Sequence, residues 1–173
     1  MQGDLTTIRA IISSVAAIEF RDAEDIRFQG QYRWISLKRF DVTTDGETEE
    51  LVAALIGHPR YRDHYASPES EVDAPIHGPY RLDAVHPGDF LVLPQGTGGA
   101  RLQAWIDEYP VSAEAVIGRL DDLLSRLASA EQVLELQDLG KGAHHEFGFV
   151  LDLFLELVRV DGKVVELVVA AQD

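Results

Sequence analysis

The chain reads as a single α+β domain, residues 1–173, built on a mostly antiparallel sheet with a C-terminal β-hairpin packed against two or more amphipathic helices. Three observations predict this. Asp25–Thr43 is rich in aromatic and β-branched residues and is broken by Gly30-Gln31, the pattern of two strands joined by a tight turn. Val164–Ala171 is apolar throughout except for Glu166 and follows Asp161-Gly162, a pair favoured where both central turn positions need positive φ. Ser112–Ala130 places Val116, Ile117, Leu120, Leu123, Leu124 and Leu127 on one helical stripe. A chain of 173 residues buries about 70% of its unfolded surface, so one core suffices.

Taken in order, Leu5, Ile8, Ile11, Ile12, Val15 and Ala16 recur at helical spacing, and a helix is expected over about 5–18 with Asp4 or Thr6 as cap. The strand pair follows. Thr48–Ile56 is a short helix, with Gly57 at the left-handed cap position and Pro59 barring continuation. Five of the seven prolines fall between Pro68 and Pro94, which makes that region extended and looped. Within it Asp89–Leu93 reads as a strand after the Pro87-Gly88 turn, and Ala100–Tyr109 as a helix stopped by Pro110. Ser112 is placed to cap the next helix. Phe147–Val158 fits a strand or a helical stripe; the aromatics flanking Gly148 favour strand, with Phe147, Phe149, Leu151, Leu153, Leu155 and Leu157 toward the core.

Thirty acids against fifteen bases leave a net charge of −15, a field that repels nucleic acid and anionic membrane and attracts basic proteins. The absence of cysteine excludes disulfides, thiolate metal sites and a cysteine nucleophile. Asp4 sits where a signal peptide carries positive charge, and the apolar run 10–18 is too short to span a bilayer, so a cytoplasmic protein is expected. Against the acidic background, Ile26–Phe40 carries Arg27, Arg33, Lys38 and Arg39 without an acid and includes Phe28, Tyr32 and Trp34. Alternating bases and aromatics on a sheet are able to stack nucleobases, but the acid load disfavours nucleic acid.

Chemical motifs are few. His144-His145-Glu146 lacks the second histidine that a helical His-Glu-x-x-His site requires, since Phe149 stands there. Gly96-Thr97-Gly98-Gly99 lies between a strand and a helix, where a phosphate cradle belongs, but Arg101 takes the third glycine position of a dinucleotide fingerprint. A flexible turn is the favoured account. Gly88-Asp89-x4-Pro94-x-Gly96 resembles part of the second motif of the cupins over nine residues. Gly99 occupies the position of that motif's metal-ligating histidine, so the resemblance implies a strand start and no metal chemistry.

The function expected is therefore a non-enzymatic acidic protein recognising a basic protein partner, of inhibitor, immunity or adaptor type, with no cofactor and no metal. Asp45, Glu47, Glu49, Glu50, Glu69, Glu71 and Asp73 are the candidate acids, with Tyr32 and Trp34 as anchors. The alternative is a small-molecule-binding or metal-dependent enzyme whose pocket is lined by His58, Arg60, Arg62, His64, His144 and Glu146. Oligomeric state is not set by the sequence.

Overall fold

A computed structural model describes residues 15–28, 32–65, 74–108, 114–146 and 153–172. Strand β1 (Ala17–Arg27) pairs antiparallel with β2 (Arg33–Thr44), which leads to helix α1 (Thr48–Gly57). A two-stranded ribbon, β3 (Ile76–His77) and β4 (Tyr80–Arg81), follows. After it come β5 (Phe90–Val92), helices α2 (Gly98–Asp107) and α3 (Glu114–Ser129), β6 (Gln132–Leu136), β7 (Leu153–Asp161) and β8 (Val164–Gln172). Six strands form one antiparallel sheet in the order β1-β2-β8-β7-β6-β5. The C-terminal hairpin thus enters the middle of the sheet rather than its edge.

Both faces of that sheet are covered, which explains the near-continuous apolar character of β8. On one face α1 supplies Leu51, Val52 and Leu55 to a core with Trp34, Phe40, Val158, Val165, Leu167 and Val169. On the other, α2 and α3 bring Leu102, Trp105, Leu120, Leu123 and Leu127 onto Ile35, Leu37, Leu155, Leu157 and Val168. Phe147–Val158 was expected to have one core face; the described part, from Leu153 onward, is a strand with apolar contacts on both.

Several boundaries differ from expectation for identifiable reasons. The helix expected over 5–18 falls mainly outside the described residues, but Ala17 and Ile18 belong to β1, where pairing with Thr44 and Val42 overrides local periodicity. Gly57 is the last residue of α1 and carries no left-handed cap; extended His58 (φ −76°) instead donates its N–H to the Leu55 carbonyl at 3.0 Å. The hairpin turn is Gly162-Lys163, one residue beyond Asp161-Gly162, because Asp161 still pairs with Val164. Only Gly162 (φ +56°) then needs the left-handed region. Tyr109, Pro110 and Ser112 lie outside the described residues. Strand β6, with Val133 and Leu134 buried on opposite faces, was not anticipated.

The Gly98-Gly99 pair has a packing role. A Cβ on Gly98 would stand 2.8 Å from the Val133 side chain, and one on Gly99 2.6 Å from the Leu124 carbonyl oxygen. Both residues are buried inside the first turn of α2, so they let α2 approach α3 and the sheet. This replaces the flexible-turn account. Among the described residues no helix is long and apolar enough to cross a membrane.

Candidate functional site

The residues with the strongest chemistry meet on the α1 face of the sheet, around Glu156. Central strand β7 presents this carboxylate inward, beneath the 3-10 turn that follows α1 and the β3–β4 ribbon. Two local devices shape that segment. His58 accepts the Arg60 N–H on Nδ1 at 3.1 Å and starts a single 3-10 turn, Pro59–Tyr61, whose last residue points to the core. Asp63 then pairs by its backbone with β3, donating to the Ile76 carbonyl at 3.1 Å and accepting from Gly78 at 2.7 Å. Gly78 is in the left-handed region (φ +52°), and a Cβ there would lie 2.3 Å from the Phe154 ring. Glycine is therefore required beside His77.

The result is a closed polar triad. Tyr61 donates its hydroxyl to Glu156 Oε1 at 2.9 Å, and His77 Nε2 lies 2.7 Å from Oε2. His77 Nδ1 lies 2.5 Å from the Tyr61 carbonyl oxygen. The Tyr61 and His77 rings stack 3.6 Å apart at 2° between planes, while Tyr65 and Phe154 meet the imidazole edge-on. The His77 and Glu156 side chains are both 0% exposed. Since both ring nitrogens face oxygens, the geometry is satisfied when two hydrogens are shared among those nitrogens and the carboxyl. The four polar side-chain atoms of the triad residues besides Nδ1 serve one another, so the arrangement locks Tyr61 and the β3 ribbon onto the sheet.

A second layer adjoins it. Lys38 of β2 is buried and donates to Asp63 Oδ2 at 2.8 Å and to the Arg60 carbonyl at 2.9 Å. Asp63 Oδ1 accepts the Tyr65 N–H at 2.9 Å, which helps to hold Tyr65 at φ +53°. Such a backbone costs of order 1 kcal/mol for a residue other than glycine. The Tyr65 hydroxyl is buried with no hydrogen-bond partner among the described residues. Burial raises the Asp25 carboxyl above its ordinary range, although Ser36 hydrogen-bonds to it.

Burial, then the nearby Glu156 carboxylate, holds the Tyr61 phenol well above its ordinary pKa; burial and Asp63 do the same for Tyr65. An unfolded phenol ionises near pH ~10. The raised folded pKa values therefore stabilise the fold below that pH, and the stabilisation is lost as pH rises further. The expected result of an alkaline titration is that the phenolate absorbance of Tyr61 and Tyr65 appears only together with loss of far-ultraviolet circular dichroism. Tyr61→Phe and Tyr65→Phe should each remove one phenolate from that late step. Late phenolates appearing while the dichroism is intact would refute it.

The residues singled out from sequence are placed differently. Trp34 is a core residue, 7% exposed, and is withdrawn as a surface anchor; Tyr32 is 80% exposed. Arg33 is also buried, its guanidinium 3.9 Å from the Trp105 ring centroid and bonded to the Trp105 carbonyl. The basic, aromatic segment is thus largely interior, because both faces of β2 are covered. Asp45 is exposed and pairs with Lys163, while Glu47 and Glu50 form the capping box of α1. Glu49 is exposed and has no ion-pair partner among the described residues; Glu69, Glu71 and Asp73 lie outside them.

His58, Arg60 and His144, expected in the alternative pocket, pack on three different rings, Phe40, Phe20 and Tyr80. His58 packs edge-on against Phe40, 5.0 Å between centroids, and burial followed by the Arg60 charge lowers its pKa. Arg60 covers the Phe20 ring and Arg62 is exposed. His64 is buried, whereas His144 is exposed and packs its ring on Tyr80, 5.5 Å between centroids. Glu146 is exposed. Among the described residues no group of three or more His, Cys, Asp or Glu side chains is arranged to hold a metal ion. The residue sequence reasoning missed is Glu156, whose signal was an acid in the middle of the apolar run Phe154–Val158. The chain matches no protein-family model, no curated protein and no solved structure.

Proposed function

We propose that this chain is a non-enzymatic binding protein that recognises a basic protein partner in the cytoplasm, as an inhibitor, immunity-type protein or adaptor. The observation carrying this reading is how the charges are distributed. Many of the described bases are engaged within the fold: Arg39 by Asp22 and Glu24, Arg119 by Glu24, Arg101 by Glu135, Arg126 and Arg159 by Glu166, and Lys38 by Asp63. Exposed Glu19, Glu49, Glu108, Asp121 and Asp122, in contrast, have no cationic partner among the described residues. The net charge of −15 thus includes exposed acids that the described bases do not neutralise. Electrostatic steering of this kind raises association rates by about tenfold or more and weakens with salt.

The test is to recover a basic protein on the tagged full chain from its native lysate and titrate the purified pair by calorimetry. Saturable one-to-one binding that weakens by about tenfold or more between low and moderate salt is the expected outcome. Salt-independent binding overturns the reading. So does turnover of any compound by the wild type that is abolished by His144→Ala or Glu146→Ala.

A further inference from the structure

The α2 and α3 helices enclose an open groove of about 260 Å³ on the outer side of the molecule. Ile106, Ile117, Leu120 and Leu124 line it, and Asp107 and Asp121 stand among them. Ile117, Leu120, Asp121 and Leu124 follow one another at helical i, i+3, i+4 and i+7 spacing, so apolar and acidic groups share a stripe of α3. Ile117 is 46% exposed although it belongs to the apolar stripe of its helix.

The charges in this groove contrast with their surroundings. On the same side of the sheet Glu24, Glu135 and Glu166 are each met by arginine. Among the described residues Asp107 accepts only the Gln103 amide, at 2.7 Å, and Asp121 has no ion-pair partner. Two carboxylates beside an aliphatic floor suit a side chain with an alkyl stem and a cationic head, or a helix that alternates the two. A second copy of this chain would bring another −15 of charge to the contact, which opposes self-association through the same face.

We infer that the α2–α3 groove is the docking site for a basic amphipathic helix of the partner, with leucine-like side chains over Ile106, Ile117 and Leu124 and lysine or arginine heads on Asp107 and Asp121. This rests on the reading of the chain as an acidic binding protein and names the surface that does the binding. It also places that surface away from the Asp45–Glu50 segment, where Asp45, Glu47 and Glu50 already have partners inside the fold.

The experiment uses the full chain and two labelled helical peptides of equal charge, one of Lys and Leu and one of Lys and Ser, followed by fluorescence anisotropy. The Lys/Leu peptide is expected to bind at least about tenfold more tightly, because only it fills the apolar floor. Ile117→Ser, and separately Asp107→Asn with Asp121→Asn, should each weaken it by about tenfold. Asp83→Asn, at an exposed carboxylate already paired with Arg81, should leave it unchanged, and the thermal melts of all three variants should match the wild type. Equal binding of both peptides, with Asp83→Asn as damaging as the Asp121 change, overturns the groove while leaving a diffuse acidic surface as the binding agent. Failure of both peptides to bind overturns the groove, and the captured basic protein then decides the broader reading separately. Sedimentation that shows Ile117→Ser dissociating a dimer assigns the groove to a second copy. A rise in affinity on Ile8→Ser assigns it to this chain's own N-terminal segment. Either of these last two results overturns the proposal.

Discussion

Glu156→Ala is expected to lower unfolding stability by about 3–5 kcal/mol, the range for removing one partner of a buried charged pair. The loss has two sources. Tyr61 keeps a buried hydroxyl without its acceptor at 2.9 Å, and His77 loses the oxygen 2.7 Å from Nε2. Each orphaned buried group costs about 1–3 kcal/mol. The truncation also leaves a void next to Val158 in a core that is otherwise close-packed. Urea unfolding followed by circular dichroism measures the difference.

Glu156→Gln separates charge from hydrogen bonding. The amide oxygen still accepts from Tyr61, and the amide N–H₂ donates to Nε2 of a neutral His77 whose Nδ1 hydrogen stays on the Tyr61 carbonyl. Each polar group of the triad then keeps a partner, so the loss should be no more than about 1–2 kcal/mol. The combined Glu156→Leu and His77→Leu variant should be more stable than the sum of its single changes predicts, by about 2 kcal/mol, since neither residue leaves the other stranded. Additive losses would mean that the pair is not coupled as its geometry implies.

The elements readable from the sequence are those whose local pattern and tertiary role agree. Val116, Leu120, Leu123 and Leu127 form a helical stripe and are buried as one, and the apolar run of β8 sits at the centre of the sheet. Where the two disagree, local reasoning fails. Ile18 follows apolar residues at helical spacing in the sequence but pairs with Val42 in space. Trp34 and Arg33 have the composition of an exposed binding strand, yet helices from distant parts of the chain cover both faces of β2. The buried triad is still less accessible to such reasoning: Tyr61, His77 and Glu156 are 16 and 79 residues apart, and no spacing rule joins them. What the sequence does offer is an acid inside each of two apolar strands, Glu156 and Glu166. A buried carboxylate requires a partner, and that requirement alone would have pointed to both polar centres.

The second of those acids yields the other large expected effect. Glu166→Ala should also cost about 3–5 kcal/mol, but with a different response to salt. Glu166 is 0% exposed on the α2–α3 face, in a cross-strand row in which Asp22 faces Arg39, Arg39 faces Glu166 and Glu166 faces Arg159. Arg126 of α3 adds a hydrogen bond at 3.0 Å. The alternation of sign places cations on either side of Glu166, and the hydrogen bond Arg39 donates to Asp22, reinforced by the charges of Glu166 and Glu24, raises the pKa of Arg39. Removing the central anion leaves Arg39, Arg126 and Arg159 facing one another. Arg39 and Arg126 are 25% and 35% exposed, so ions in solution reach this repulsion and screen it. Added salt should therefore recover part of the stability lost in Glu166→Ala, whereas the loss in Glu156→Ala, enclosed with a fully buried histidine, should hardly change. Denaturation in urea at low and high sodium chloride compares the two directly. Equal salt responses would show that the arginine row does not act as a coupled set of charges.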